Sequence, residues 1–146
     1  MKTMHFSVEI EAPKEKVWEA LWQDEHYRNW ASPFSEGSYA ESDWKEGSRV
    51  VFLSPEGDGM YSTIDKLVPN KFMSFRHIGM VRNGEEMPQD DQSKAWSGAK
   101  ENYELKEQNG KTSVEVSVDT FDEEASFLKM FPKALNKLKE IAENLN

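Results

Sequence analysis

The stretch Asp122–Asn146, DEEASFLKMFPKALNKLKEIAENLN, decides the fold. Phe127, Phe131, Leu135, Leu138, Ala142 and Leu145 recur at intervals of three or four, and Leu128, Ala134 and Ile141 widen that stripe. Lys129, Lys133, Lys137, Glu140 and Glu143 lie largely off it. This spacing places the apolar side chains on one face of a helix. A helix so long and so one-sided needs an apolar surface to lie against. Thr120-Phe121-Asp122-Glu123 fits a capping box at its start, where Asp122, Glu123 and Glu124 suit the positive end of the helix dipole. Pro132 predicts a kink near Phe131, or a split in which Pro132 opens the longer second piece.

Upstream, the chain reads mainly as strands. Met4, Phe6, Val8 and Ile10 alternate with His5, Ser7, Glu9 and Glu11, the period of a strand with one buried face. Pro13 stands where a first helical position is expected, and KEKVWEALW follows as a short helix. Asp24 reads as the N-cap of a second short helix, DEHYRNW. Strands are then expected over Gly37–Asp43, Arg49–Leu53, Met60–Val68 and Phe72–Val81, separated by Gly47, by Pro55–Gly59 and by Pro69-Asn70. Arg82–Ser93 is polar and reads as a long mobile loop, a flap over one end of the sheet. Trp96–Glu107 and Thr112–Thr120 form a hairpin, since Asn109-Gly110 supplies the positive φ angles of a tight turn. The strands are expected to form one sheet that wraps the terminal helix.

A chain of 146 residues is most simply one domain, 1–146, large enough to bury a real core. Eighteen basic against twenty-seven acidic residues give a net charge of -9, which opposes binding to nucleic acid or an anionic membrane. Cysteine is absent, so disulfides, thiol nucleophiles and thiolate metal sites are excluded. The N-terminal MKTMHFSVEIEA alternates instead of presenting an apolar run, so neither a signal peptide nor a membrane span is expected there. A soluble, cytoplasmic protein is the expectation.

The segments VEIEAPKEKVWEAL, HYRNWASPF, WKEGSRVVF, GMYSTIDKLVPNKFMSF, AKENYELKEQNGKTSVEVSVD and FPKALNKLKEIAENL resemble the START-like (SRPBCC) domains. Within that superfamily the chain is most similar to the branch of homologues of the activator of the ninety-kilodalton heat-shock protein ATPase. The resemblance spans nearly the whole chain. It implies an α+β helix-grip fold, in which a curved antiparallel sheet of about six to seven strands grips a long C-terminal helix over an internal cavity. It implies no catalytic set, because fold alone does not fix function.

The sequence contains no GxSxG, P-loop, GxGxxG or HExxH motif. Gly57-Asp58-Gly59 lacks the lysine and helix of a phosphate loop and reads as a turn. His5, His26 and His77 are too scattered to suggest one metal site, and no metal or cofactor is expected. His5 is expected to face solvent and His26 to lie on the polar side of its helix. Arg76-His77 interrupts an apolar strand; an inward His77 could orient a polar ligand group or move a proton, while the alternative is a rim or hydrogen-bonded core histidine. Glu9 and Glu11 read as solvated, and Glu101 and Asp65 either reach the interior or carry surface charge.

The aromatics carry more information. Trp18 and Trp22 share a helix face, and Trp30, Phe34 and Trp44 cluster around the segments beyond it. Phe52, Tyr61, Phe75 and Tyr103 come from four different strands, and Phe127 and Phe131 from the helix above them. Such rings either line a cavity for an apolar ligand or fill the core completely. The candidate lining is Trp30, Phe34, Phe52, Tyr61, Phe75, His77, Tyr103, Phe127 and Phe131. Access is expected between the Trp30 region, the Arg82–Ser93 loop and the long helix. Three functions are consistent with this reading: a non-enzymatic binding domain for a small, largely apolar lipid-like or aromatic molecule; a module that regulates a chaperone ATPase; and a cyclase- or hydrolase-like enzyme using His77.

Overall fold

Alternation in the first strand settles one edge of the sheet. In the computed structural model β1 (Lys2–Ile10) lies antiparallel to β8 (Lys111–Thr120), with Phe6 opposite Val116 and Val8 opposite Val114. The structure describes residues 2–91, 94, 97–120 and 126–145; of Ser126 and Phe127 it describes only the backbone. The remaining strands are β2 (Tyr39–Glu41), β3 (Arg49–Leu53), β4 (Gly59–Val68), β5 (Phe72–Arg82), β6 (Glu85–Glu86) and β7 (Lys100–Gln108). They form one antiparallel sheet in the order β1-β8-β7-β5-β4-β3-β2, with β6 paired to β5. Register shifts between Tyr61 and Ser62 and between Ile64 and Lys66 interrupt the β4–β5 ladder. Such irregularities bend a strand and strengthen its twist, which lets the sheet curve.

The helices whose bounds are described are α1 (Lys14–Trp22), α2 (Asp24–Trp30) and α3 (Ser126–Glu143). Pro13 is the N-cap of α1 and not its first helical residue, and Gln23 takes the N-cap of α2, so Asp24 instead lies in the first turn and pairs with Arg28. The indole of Trp30 donates to the Leu21 carbonyl at 2.9 Å, which fixes the angle between these helices. Leu128, Phe131, Ala134, Leu135, Leu138 and Ala142 form the buried stripe of α3. The helix runs through Pro132 without the expected split, at the cost of the bond an N–H there would give to the Leu128 carbonyl. Of the expected capping box Thr120–Glu123, Thr120 ends β8 and the rest lies outside the described residues.

Polar straps hold the far end of α3 against β1 and α1. Lys139 Nζ donates to the Glu9 carbonyl at 3.1 Å, Glu143 accepts from the Glu11 N–H at 2.9 Å, and Lys16 Nζ reaches the Leu145 carbonyl at 2.8 Å. Beneath that half of the helix, Ile10, Val17, Leu21, Leu105 and Val114 are buried in one apolar cluster. The sheet therefore grips α3 as a curved α+β helix-grip fold.

Three expectations change. The weak strand over Gly37–Asp43 contracts to Tyr39–Glu41, and the hairpin strand expected from Trp96 begins at Lys100. The first residues of the segment read as a flap, 82–86, fold back on β5. Asn83 and Gly84, with φ of 52° and 80°, make a tight turn that pairs Arg82 with Glu85 and Val81 with Glu86. Asn83 N–H bonds Asp58 Oδ1 at 3.0 Å and Gly84 N–H bonds the Gly57 carbonyl at 2.9 Å, tying this hairpin to the β3–β4 turn. Gln92 and Ser93, at the end of the expected loop, lie outside the described residues, as does Trp96.

Candidate functional site

β3, β4, β5 and β7 each turn alternate residues toward α1 and α2. A cavity of about 610 Å³ remains at the Phe131 end of α3. Its inner wall is made of Trp22, Tyr27, Trp30, Phe52, Phe75 and Tyr103, with Phe34 and Phe131 closing it from the helix side. Most of these rings meet edge to face, as Trp22 and Tyr103 do at 5.1 Å and 86° and Phe52 and Phe75 at 5.2 Å and 88°. That arrangement suits the quadrupoles of the rings and makes a stiff wall. The rim is built from Ser35, Ser38 and Tyr39 after α2, from Ser54, Asp58 and Met60 around the β3–β4 turn, and from Met80.

Three polar side chains meet within this apolar surface. Phe75 and Glu101 are cross-strand partners, so Glu101 shares the inward face. His77 follows Phe75 on β5 with the same orientation, and its backbone is fixed by bonds to the Ala99 carbonyl at 2.9 Å and from the Gly98 N–H at 2.8 Å. His77 Nε2 lies 3.2 Å from Glu101 Oε1, and its Nδ1 lies 2.6 Å from Ser62 Oγ. An ionised carboxylate only accepts, so Nε2 carries the proton toward Glu101. In the neutral ring the Ser62 hydroxyl then donates to Nδ1. The Tyr103 hydroxyl donates to Glu101 Oε2 at 2.5 Å.

These contacts set the charge of the site. Burial pushes the Glu101 carboxyl up, but the hydrogen bond and charge of His77 and the Tyr103 hydroxyl outweigh it, leaving Glu101 below the usual carboxylate range. Burial and the neighbouring Glu101 charge push the phenols of Tyr103 and Tyr27 upward, so both stay protonated. Glu101 is thus an ionised acceptor bracketed by donors. Ser62 is fully buried and does not border the cavity, which removes it as a nucleophile toward a bound molecule. Among the described residues no group of His, Asp and Glu is arranged to hold a metal ion, and no helix is long and apolar enough to cross a membrane.

Of the residues expected in the lining, Trp30, Phe34, Phe52, Phe75, His77, Tyr103 and Phe131 are brought together around this space. Tyr61 is not. It points to the opposite face of the sheet, into a small cluster with Leu53 and Val81, where the Arg49 guanidinium lies 4.7 Å above its ring. Ile64, Ser62 and Met60 take the inward positions of β4, and period two sends Tyr61 outward. The Phe127 side chain lies outside the described residues. Phe131 is the only described residue of α3 on the cavity. None of the described residues between 82 and 91 borders it either; the β3–β4 turn and residues 35–39 rim the opening instead.

Other candidates sort by strand face. Glu101 reaches the cavity, whereas Asp65 pairs outside with Lys100 at 3.2 Å. His5, Glu9 and Glu11 are exposed, and His26 is half-buried away from the lining. Tyr27, Tyr39, Met60 and Met80 escaped the sequence reading. For Tyr27 a signal existed, because it lies three residues before Trp30 on the same helix face.

Comparisons agree with this architecture. A family model described as Activator of Hsp90 ATPase homolog 1-like protein matches residues 11–143. The solution structure of the Aha1 dimer from Colwellia psychrerythraea is similar at 23% identity and a TM-score of 0.73, covering 99% of this chain and 98% of that one. Protein MLL2253 from Mesorhizobium loti is similar at 17% identity and a TM-score of 0.74, covering 99% of each chain. ChR145 from Cytophaga hutchinsonii is similar at 23% identity and a TM-score of 0.69, over 99% of this chain and 95% of that one. At these identities the likeness is one of fold. No curated protein matches the sequence.

Proposed function

This chain belongs to the family of Activator of Hsp90 ATPase homolog 1-like proteins, and from that premise we propose that it is a binding domain for a small, largely apolar molecule, without chemistry of its own. The observation that carries the reading is the space of about 610 Å³ walled by aromatic rings and holding a few convergent polar groups. Ligand sites have this size and composition, with apolar area supplying affinity and few polar contacts fixing orientation. The whole chain, 1–146, acts as one such domain in the cytoplasm. Chemical-shift mapping against a panel of lipids, sterols and aromatic metabolites tests the proposal. Shifts should concentrate on Phe52, Phe75, His77 and Tyr103; shifts confined to the outer surface, or none, overturn it.

One observation favours a second reading, proton transfer to or from the bound molecule. His77 borders the cavity with partners at 2.6 and 3.2 Å, within reach of general acid–base geometry. Incubating any ligand found above with stoichiometric protein and analysing it by mass spectrometry decides between the two. A ligand recovered unchanged, with no exchange of its acidic hydrogens for deuterium, eliminates the catalytic reading. The family description also supports regulation of a chaperone ATPase. Measuring ATP turnover by that chaperone with and without saturating protein tests it, and an unchanged rate disposes of it.

A further inference from the structure

We propose that the molecule bound in this cavity is an amphiphile with an aromatic or apolar body and a protonated amine, and that Glu101 receives the amine. The inference rests on the binding reading above and names the chemical class of its ligand.

Charge around the cavity is one-sided. Glu101, Asp58 and Asp119 border it, and no lysine or arginine does among the described residues. His77 is the one bordering side chain able to take up a positive charge, and both its ring nitrogens are already engaged, by Ser62 and by Glu101 itself. Asp58 accepts from the Asn83 N–H, and Asp119 from Thr3 Oγ1 and the Lys100 N–H, so these two act by charge at the rim. Glu101 differs from them in lying among the rings.

Its bonding capacity is also unfilled. A carboxylate offers about four acceptor positions, of which, among the described residues, His77 and Tyr103 occupy two. The side chain keeps 22% of its surface accessible, so a ligand can reach what remains. Whatever meets it there must donate. An anionic head, such as a fatty acid carboxylate, would bring like charge beside Glu101 in a poorly solvated space. A hydroxyl head would donate one bond. An ammonium would donate and satisfy the charge, in a space bordered by aromatic rings.

Three probes with one indole body separate these heads: tryptamine, tryptophol and indole-3-propionate, titrated calorimetrically at pH 7 and low salt. Tryptamine should bind about tenfold tighter than tryptophol, the gain expected of a charge-assisted over a neutral hydrogen bond, and indole-3-propionate should bind most weakly. Glu101→Gln should abolish the preference for tryptamine while moving tryptophol by less than about threefold, since the amide keeps the shape and an acceptor oxygen. Tryptophol or indole-3-propionate matching tryptamine on the wild-type protein overturns the inference while leaving the cavity reading intact, and needs no variant to fold. A preference for tryptamine that survives Glu101→Gln also overturns it. No binding by any of the three overturns it as well, and the cavity reading falls with it only if the panel of lipids, sterols and aromatic metabolites also fails.

Discussion

The rings of Phe6 on β1 and Phe131 on α3 stack with centroids 4.8 Å apart and planes 18° apart. This contact joins the first strand to the last helix. Phe131 also meets Phe34 edge-on at 4.8 Å, so it serves both the fold and the wall of the site. Phe131→Ala should destabilise the protein by about 3–5 kcal/mol, the usual range for emptying a buried phenylalanine position. Urea unfolding reads this directly. A loss below about 1 kcal/mol would mean that the site collapses freely or that α3 is held without this ring.

Two glycines rank differently by what a methyl group would meet. A Cβ on Gly59 would lie 1.8 Å from the Phe52 carbonyl oxygen, a backbone atom held in the β3–β4 ladder. A Cβ on Gly79 would lie 2.6 Å from the Tyr61 ring, the far end of a side chain. Gly59→Ala should therefore cost more than the usual overpacking penalty of about 1–3 kcal/mol, and Gly79→Ala less than Gly59→Ala. Adding Tyr61→Leu should relieve the Gly79→Ala cost and leave that of Gly59→Ala unchanged. The reverse order in thermal melts would contradict the packing described for this corner.

Acid should unfold the protein partly through Glu101. Its folded carboxyl titrates below the usual carboxylate range, with burial opposing and His77 and Tyr103 favouring the ionised form. A folded value below the unfolded one means that its contribution is complete above the ordinary glutamate value of about 4.3 and is lost as pH falls through the folded value. Glu101→Gln should lower stability at neutral pH and flatten the acid limb of a stability profile between pH 7 and 3. Parallel profiles for the two proteins would remove Glu101 from the acid response.

The Tyr103 hydroxyl reaches Glu101 Oε2 at 2.5 Å. Tyr103→Phe keeps the buried ring and removes only that donor, so the Glu101 carboxyl should titrate higher, closer to the ordinary glutamate range. Carbon-detected NMR of the glutamate side chains follows this. The accompanying stability loss should be about 1.5–3 kcal/mol, as for other hydrogen bonds to charged groups. An unmoved titration curve would show that this bond does not help to hold the carboxylate ionised.

Much of the frame is legible in the residues alone. The three-and-four spacing from Phe131 to Ala142 specifies the buried face of α3, because a helical period binds each side chain to a direction within its own element. Alternation does the same for β1, and Asn109-Gly110, with φ of 55° and 77°, closes the β7–β8 hairpin where expected. The site was legible in part. Trp30, Phe75 and Phe131 belong to strongly patterned segments, and His77 stood out as a polar interruption.

What the residues left open depends on partners distant in the chain. Tyr61 and Met60 are equally plausible inward residues of β4 until the register with β5, with its two irregularities, chooses Met60. His77 and Glu101 stand 24 positions apart and become partners only because β5 and β7 align at this register. Periodicity within an element is a local property, so the sequence by itself determined the helix face, the strand alternation and the tight turns. Register arises from how all elements fit together, so only the tertiary structure decided that Met60 and not Tyr61 turns inward and that His77 meets Glu101.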